Sequence, residues 1–258
     1  MINFDTDPDT RMKENILHGL GSDDTIYRFV TVDRFFEMIH CKKLVLVRPN
    51  KWEDPFEDFL SRTEFINKKG ERTGFALTRD FFGNCWTLRE ECDGIWKNYA
   101  SLTGGVRIQT IVKKLLEVIY DKNNASSKMS SFIGKVEYKE EGDIKQFLKD
   151  DDFINWLTDT KGKNIAKTLL FKRDEFTYEQ EVRLLFSAEH NKFEKQDIIE
   201  FAIEPLNLID SVLFAPKMSS HLYEIYKEQL IKEGFDKTKI LKSQLYTPYK
   251  IEIQSDAL

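Results

Sequence analysis

Between Thr25 and Val47 the hydrophobic period changes twice, and that constrains the fold more than any other feature of the sequence. "TIYRFV" alternates apolar and polar residues, the two-residue repeat of a strand. "TVDRFFEMIHC" switches to the 3.6-residue repeat of a helix, with Thr31 placed as its N-cap. "KLVLV" is a continuous apolar run, short enough for a buried strand. A chain that opens strand, helix, strand is neither a helical bundle nor an all-β sandwich.

The same mixture continues. "FFGNCWTL", "GGVRIQ", "FIGKVEYK", "EQEVRLLFS", "IIEFAIE" and "SVLFAP" read as strands, and "KILKSQLYTPYKIEIQ" supplies one or two more at the end. Residues 10–20 carry Met12, Ile16, Leu17 and Leu20 at helical spacing, stopped by Gly19 and Gly21. "ECDGIWKNYA" reads as a helix, and "TIVKKLLEVIYD" is amphipathic, with Ile111, Leu115, Val118 and Ile119 on one face. "SSHLYEIYKEQLIKEGF" has a serine cap and a glycine stop. Residues 142–172 read as two or three helices. Strands and helices interleave without the strict alternation of a doubly wound sheet. The expected fold is therefore α+β: one domain over residues 1–258, a single mixed, mostly antiparallel sheet flanked by helices, and a helical insertion at 142–172.

Composition narrows the function. With 258 residues, 41% apolar and 20 phenylalanines, the chain can bury a large core. Lys plus Arg is 39 and Asp plus Glu is 44, so a net charge of −5 gives no global attraction to a nucleic-acid backbone. No stretch is apolar enough for a membrane span, and "MINFDTDPDT" lacks the pattern of a signal peptide. Cys41, Cys85 and Cys92 are odd in number and have no C-x-x-C spacing, so free thiols and a cytoplasmic location are expected. The four histidines show no zinc-binding spacing, and no metal is expected.

Two acidic runs hold the candidate chemistry. In "KWEDPFED", residues 51–58, Asp54 and Glu57 could be paired carboxylates for acid–base work or for a divalent ion. The structural alternative makes Pro55 the first residue of a helix, with Asp54 as its N-cap and Glu57 and Asp58 in the first turn. Trp52 and Phe56 would then anchor the turn in the core. In "YEQEVRLLF", residues 178–186, strand alternation sets Glu179, Glu181 and Arg183 on one face and Val182 and Leu184 on the core side. The charged face lines either solvent or a cleft; in solvent, Glu181 and Arg183 would neutralise each other or cross-strand partners.

The order "YRF", "WEDPFE", "CWT", "GIWKNYA", "VEY", "YEQEVRL" resembles the bacterial domain-of-unknown-function family 2971 over roughly residues 25 to 250. That family's usual forms are N-D-P-F-E, C-F-S, M-W-x-x-Y and E-x-E-x-R. Here Glu53 replaces the asparagine, Trp86 and Thr87 replace phenylalanine and serine, and Ile95 replaces methionine. Three of these motifs also look like those of ADP-ribosyltransferases, which use an early-strand Arg or His, a middle-strand Ser or Thr, and a late E-x-E. That resemblance implies NAD as substrate, Arg28 on its phosphates or ribose, and Thr87, Glu179 and Glu181 at the reacting bond. Trp86, Trp96 and Tyr99 would then stack on the nicotinamide.

Three functions follow as expectations: an NAD-using transferase or glycohydrolase acting as a toxin or phage-defence effector; a non-catalytic nucleotide- or protein-binding module; or a metal-dependent nuclease with Asp54, Glu57 and Glu181 as ligands. If Arg28, Thr87 and Glu181 converge on one cleft, the first gains. If Asp54 and Glu57 join Glu181 within ligand reach, the nuclease gains. If the groups are dispersed or paired off, the binding module gains.

Overall fold

Aromatic and β-branched residues are concentrated in the runs that pair. The computed structural model describes residues 7–66, 69–74, 78–124, 126–149, 153, 157, 162–190 and 192–248. In chain order the strands are β1 (Ile16–Leu17), β2 (Thr25–Thr31), β3 (Lys43–Val47), β4 (Glu64–Ile66), β5 (Arg72–Gly74), β6 (Phe81–Thr87) and β7 (Gly105–Ile111). They continue with β8 (Ser131–Lys135), β9 (Glu137–Lys139), β10 (Phe171–Arg173), β11 (Glu181–Ser187), β12 (Ile198–Ala202), β13 (Ser211–Phe214) and β14 (Ile240–Lys242).

One ten-stranded sheet runs β1-β8-β11-β6-β2-β7-β13-β14, with β3 and β12 branching from β6. Only its two ends are parallel, β1 on β8 and β13 on β14; the other pairings are antiparallel. The expected α+β architecture with a mostly antiparallel sheet is therefore present.

Both faces of the sheet are covered. Phe35, Ile39, Val112, Leu115 and Leu230 come from helices and close the larger core over β2, β3, β7 and β13. On the other face a smaller core joins Leu17, Phe81, Phe132 and Leu185 to Leu169 and Leu170, next to the helix Lys163–Thr168. Alternation along β11 serves both: Val182 and Leu184 enter the larger core and Leu185 the smaller.

The sheet forks at β6. Strand β2 pairs with it only through Tyr27 and Thr87, and β3 only through Val47 and Gly83. Between those two points β2 and β3 diverge, leaving the middle of β6 uncovered on that edge. Asn84 spans the gap, donating from Nδ2 to Val45 O at 2.7 Å and accepting from Trp86 Nε1 at 2.7 Å. Gly83 permits the fork to be walled by Trp52, because a Cβ there would lie 2.5 Å from Trp52 Cζ2.

Four expectations need correction. Ile16 and Leu17 form a strand rather than extending a helix, which stops at Lys13. Asn15 docks that segment instead, donating to Ser131 O at 2.6 Å and Lys128 O at 3.0 Å. The helix after β7 is only Val112–Glu117, since Ile111 still pairs with Thr25. "FIGKVEYK" breaks at Val136, whose N–H goes to Glu181 O; β9 then leaves the main sheet to pair with β10. Of the insertion expected over 142–172, the helices Glu141–Leu148 and Lys163–Thr168 are present, but Phe171 and Lys172 are strand. The remainder of that insertion, at 150–161 apart from 153 and 157, lies outside the described residues, as does the end of the closing strands at 249–254.

Candidate functional site

A cavity of about 600 Å³ opens in the fork, a size suited to a small organic ligand. Its walls are the diverging strands, the acidic run and the approach to β11. It brings together Arg28 on β2, Thr87 on β6, Glu179 just before β11 and Glu181 at its start. Asp54 and Glu57 reach it from the acidic run.

The acidic run builds the turn that local rules require. Asp54 caps a 3-10 helix over Pro55–Arg62, accepting from Phe56 N at 3.0 Å, with Pro55 at its first position and Glu57 and Asp58 in its first turn. The cap also lines the cavity. Asp54 takes both ends of the Arg173 fork, each at 3.2 Å, and that guanidinium lies 4.7 Å from the Phe56 ring centroid. Trp52 is half-buried and packs on the smaller core, and its other contact is polar: the Arg183 guanidinium sits 4.5 Å from its ring.

The second run differs from a simple strand. Asp174–Glu179 is a 3-10 helix, and Gln180 turns through φ +46° before β11 begins at Glu181. Glu179 therefore reaches the cavity through a turn rather than through strand alternation. Neither solvent nor a bare cleft receives the charged face. Glu181 is 5% exposed and Arg183 0%, so both ions are buried.

Their burial is sustained by an ion network. Arg183 grips Glu181 with Nε and an end nitrogen, both at 2.9 Å, and donates to Leu169 O at 2.6 Å. The same end nitrogen lies 3.0 Å from Glu57 Oε1. Lys172 on β10 contacts Glu57, Glu179 and Glu181 at 2.9, 2.5 and 3.1 Å. Tyr99 donates its hydroxyl to Glu179, and Tyr138 accepts from Glu181 N at 2.8 Å. Three carboxylates against two cations leave one negative charge in excess when all are ionised.

Burial alone would push the Glu181 carboxyl upward, but the charge and hydrogen bonds of Arg183, with Lys172 behind them, bring it down to about 2. Glu57 moves the other way, because burial outweighs the field of Arg183. Glu181 is thus firmly ionised, and Glu57 is the member most ready to take a proton. Burial, then the hydrogen bond to Glu179, holds the Tyr99 phenol well above its usual range, so it remains a donor. The Cys85 thiol is raised by burial and by the field of Glu181, and remains protonated.

Arg28 contrasts with all of these. Among the described residues its side chain makes no hydrogen bond or ion pair; Asp24, four residues before it, accepts from Gly21 N at 2.7 Å. Burial lowers the pKa of its guanidinium from the ordinary value, with only Cys85 acting against it. Arg28 is half-buried at the cavity wall, so an anionic ligand in the cavity could pair with its guanidinium.

The other sequence candidates divide. Thr87 donates its hydroxyl to Glu179 O and accepts from Arg89 N at 2.9 Å, so it fixes the backbone that carries Glu179. Tyr99 is 43% exposed at the cavity. Trp86 lines the cavity while belonging to the larger core. Trp96 does not reach it: the side chain is fully buried, edge-on to Phe29 at 4.8 Å, with its N–H on Glu91. Arg183 stands behind the lining rather than in it. Sequence reasoning does not single out Lys172, which falls in the segment 142–172 that reads as helical, or Arg173 just beyond it; the signal is the apolar-then-cationic run "LLFKR" shortly before two glutamates.

The family described as "Protein of unknown function (DUF2971)" matches residues 95–184. That span holds "VEY", "YEQEVRL" and all but the first residue of "GIWKNYA", and leaves "YRF", "WEDPFE" and "CWT" outside it. No curated protein matches the sequence. The similar solved structures include two of DarT from Thermus sp. 2.9. The complex with ADP-ribosylated ssDNA is 9% identical, covering 88% of this chain and 97% of that one, at a TM-score of 0.40. The complex with NAD+ is also 9% identical, covering 87% and 98%, at a TM-score of 0.34. Likeness that distant decides nothing about the chemistry here, which has to come from this chain's own residues.

Proposed function

We propose that the forked cavity binds NAD+ and that the protein breaks its nicotinamide–ribose bond, transferring ADP-ribose to an acceptor or to water. The observation that carries this reading is the pairing, in one cavity, of an unpartnered cation with an ionised cluster in negative excess. NAD+ has the complementary pattern: an anionic pyrophosphate and a cationic pyridinium. Arg28 is suited to the first and the cluster of Glu57, Glu179 and Glu181 to the second.

The chemistry follows from that placement. As the C1′–N bond breaks, its electron pair goes to the pyridinium nitrogen and positive charge moves onto the ribose. An acceptor atom then bonds to C1′ and loses a proton. Glu181, ionised and clamped by Arg183, offers negative charge that needs no reorganisation as the reaction proceeds. Tyr99 and Thr87 hold Glu179 beside it.

A second reading, a nucleotide-binding module without chemistry, is favoured by one observation: each of these carboxylates already has a protein cation on it. The same pairing opposes the nuclease. Lys172, Arg173 and Arg183 occupy the oxygens that a metal would need, and no group of three ligands among the described residues could hold one.

Nicotinamide release from NAD+, assayed with wild type and Arg28→Ala, separates the two. Wild type is expected to release nicotinamide. Arg28→Ala should raise KM about tenfold or more with a smaller change in kcat, because a phosphate clamp holds ground and transition states alike. Binding of NAD+ without release, whatever acceptor is supplied, would favour the binding module. Neither binding nor release would refute both.

A further inference from the structure

Among the described residues, Lys172 is the one cation that touches all three carboxylates of the cavity floor. Its ammonium has three donors, and they meet Glu57, Glu179 and Glu181 at 2.9, 2.5 and 3.1 Å. Those partners come from three segments: the 3-10 helix Pro55–Arg62, the 3-10 helix Asp174–Glu179 and β11. The lysine itself is on β10, in a different sheet from β11, and its side chain is 7% exposed. The other titratable groups facing this cluster are Arg183 on β11, Cys85 on β6, Tyr138 on β9, Tyr99 on the helix Asp93–Tyr99, and Tyr178. Of these only Arg183 is a second cation, and it holds Glu181 and Glu57 but not Glu179.

We propose that Lys172 is a positioning residue: it gathers Glu57, Glu179 and Glu181 into one floor and sets the negative charge that floor presents to the pyridinium end of the ligand. This rests on the NAD+ reading above. Without Lys172, three buried carboxylates would face Arg183 alone. Like charges at that distance do not all stay ionised in a buried site, so one carboxylate takes a proton. Glu57 is that group, because burial already raises its carboxyl.

The sign of the pH effect follows. A carboxyl whose folded pKa lies above its unfolded value stabilises the fold below the unfolded value, and that contribution is lost as pH rises through the folded value. The Tm deficit of Lys172→Met against wild type should therefore grow between pH 5 and pH 8. Lys172→Arg keeps the charge and should keep the wild-type profile. Lys172→Met/Glu57→Gln leaves two carboxylates against one cation, the wild-type excess, and should also return to that profile.

Activity is the second readout. Lys172→Met should lower kcat about tenfold or more, as misplaced reacting groups do, with Lys172→Arg recovering most of the loss; the double variant is read by its Tm profile alone. A lysine that only fills space would give a Tm deficit independent of pH and no recovery in the double variant; either result overturns the proposal. If Lys172→Met yields no folded protein, the double variant must still fold, and its failure to do so also overturns it. An inactive wild type would instead remove the NAD+ reading, while the Tm profiles would still decide whether Lys172 sets the charge.

Discussion

Glu181→Gln is expected to lower kcat for nicotinamide release by about 10²-fold or more, with a far smaller change in NAD+ affinity. Glutamine keeps the shape of the side chain and can still accept one hydrogen bond from Arg183. It removes the charge and turns an amide N–H₂ toward Arg183 or Lys172, both of them donors. The lost interaction is therefore the one that grows as positive charge moves onto the ribose, and the loss belongs in kcat. Single-turnover rates and NAD+ titrations should be compared at a temperature where both proteins are folded. A variant with wild-type kcat would remove Glu181 from the reaction.

Arg183→Leu is expected to destabilise the protein by about 3–5 kcal/mol, read as a lower midpoint in urea. Arg183 is fully buried, so the cost is not that of a surface pair. Leucine fills part of the volume but leaves Glu181 and Glu57 with Lys172 alone, and it strips the cover from Trp52. The pH dependence carries the same signature. With its carboxyl held down near 2, Glu181 contributes stability that is present above the ordinary carboxylate range and lost as pH falls toward that value. Without Arg183 that contribution, and the acid loss with it, should be absent, so the stability deficit of Arg183→Leu should shrink as pH falls through the carboxylate range. An unchanged midpoint would mean that the network does not hold the two sheets' edges together.

Much of the fold was legible because local period and partner burial agree. "TIYRFV", "KLVLV" and "SVLFAP" each have one structural solution, and each is a strand. Ile16 and Leu17 misled, because apolar residues at helical spacing say nothing about a distant strand edge. Pairing with Ile133 and Gly134 decides their conformation, and only the folded chain contains that contact. The site was legible in part for a similar reason. Asp54 as a cap is a local fact, written in the proline that follows it. Glu181 and Arg28 could be singled out by residue type and order. That Glu181 is gripped by Arg183 two residues on, while the Arg28 side chain has no partner among the described residues, depends on the fork at β6. Lys172 was hidden because its value lies in three carboxylates drawn from separate segments, a relation that no spacing along the chain expresses.

The most direct measurement is a crystal structure of the wild-type protein with a non-hydrolysable NAD+ analogue. The expected result places the pyrophosphate within hydrogen-bond distance of the Arg28 guanidinium, with the ribose carbon that bears the nicotinamide beside Glu181. An analogue that binds outside the fork, or that lies in it with Arg28 still unpartnered, would contradict the central claim.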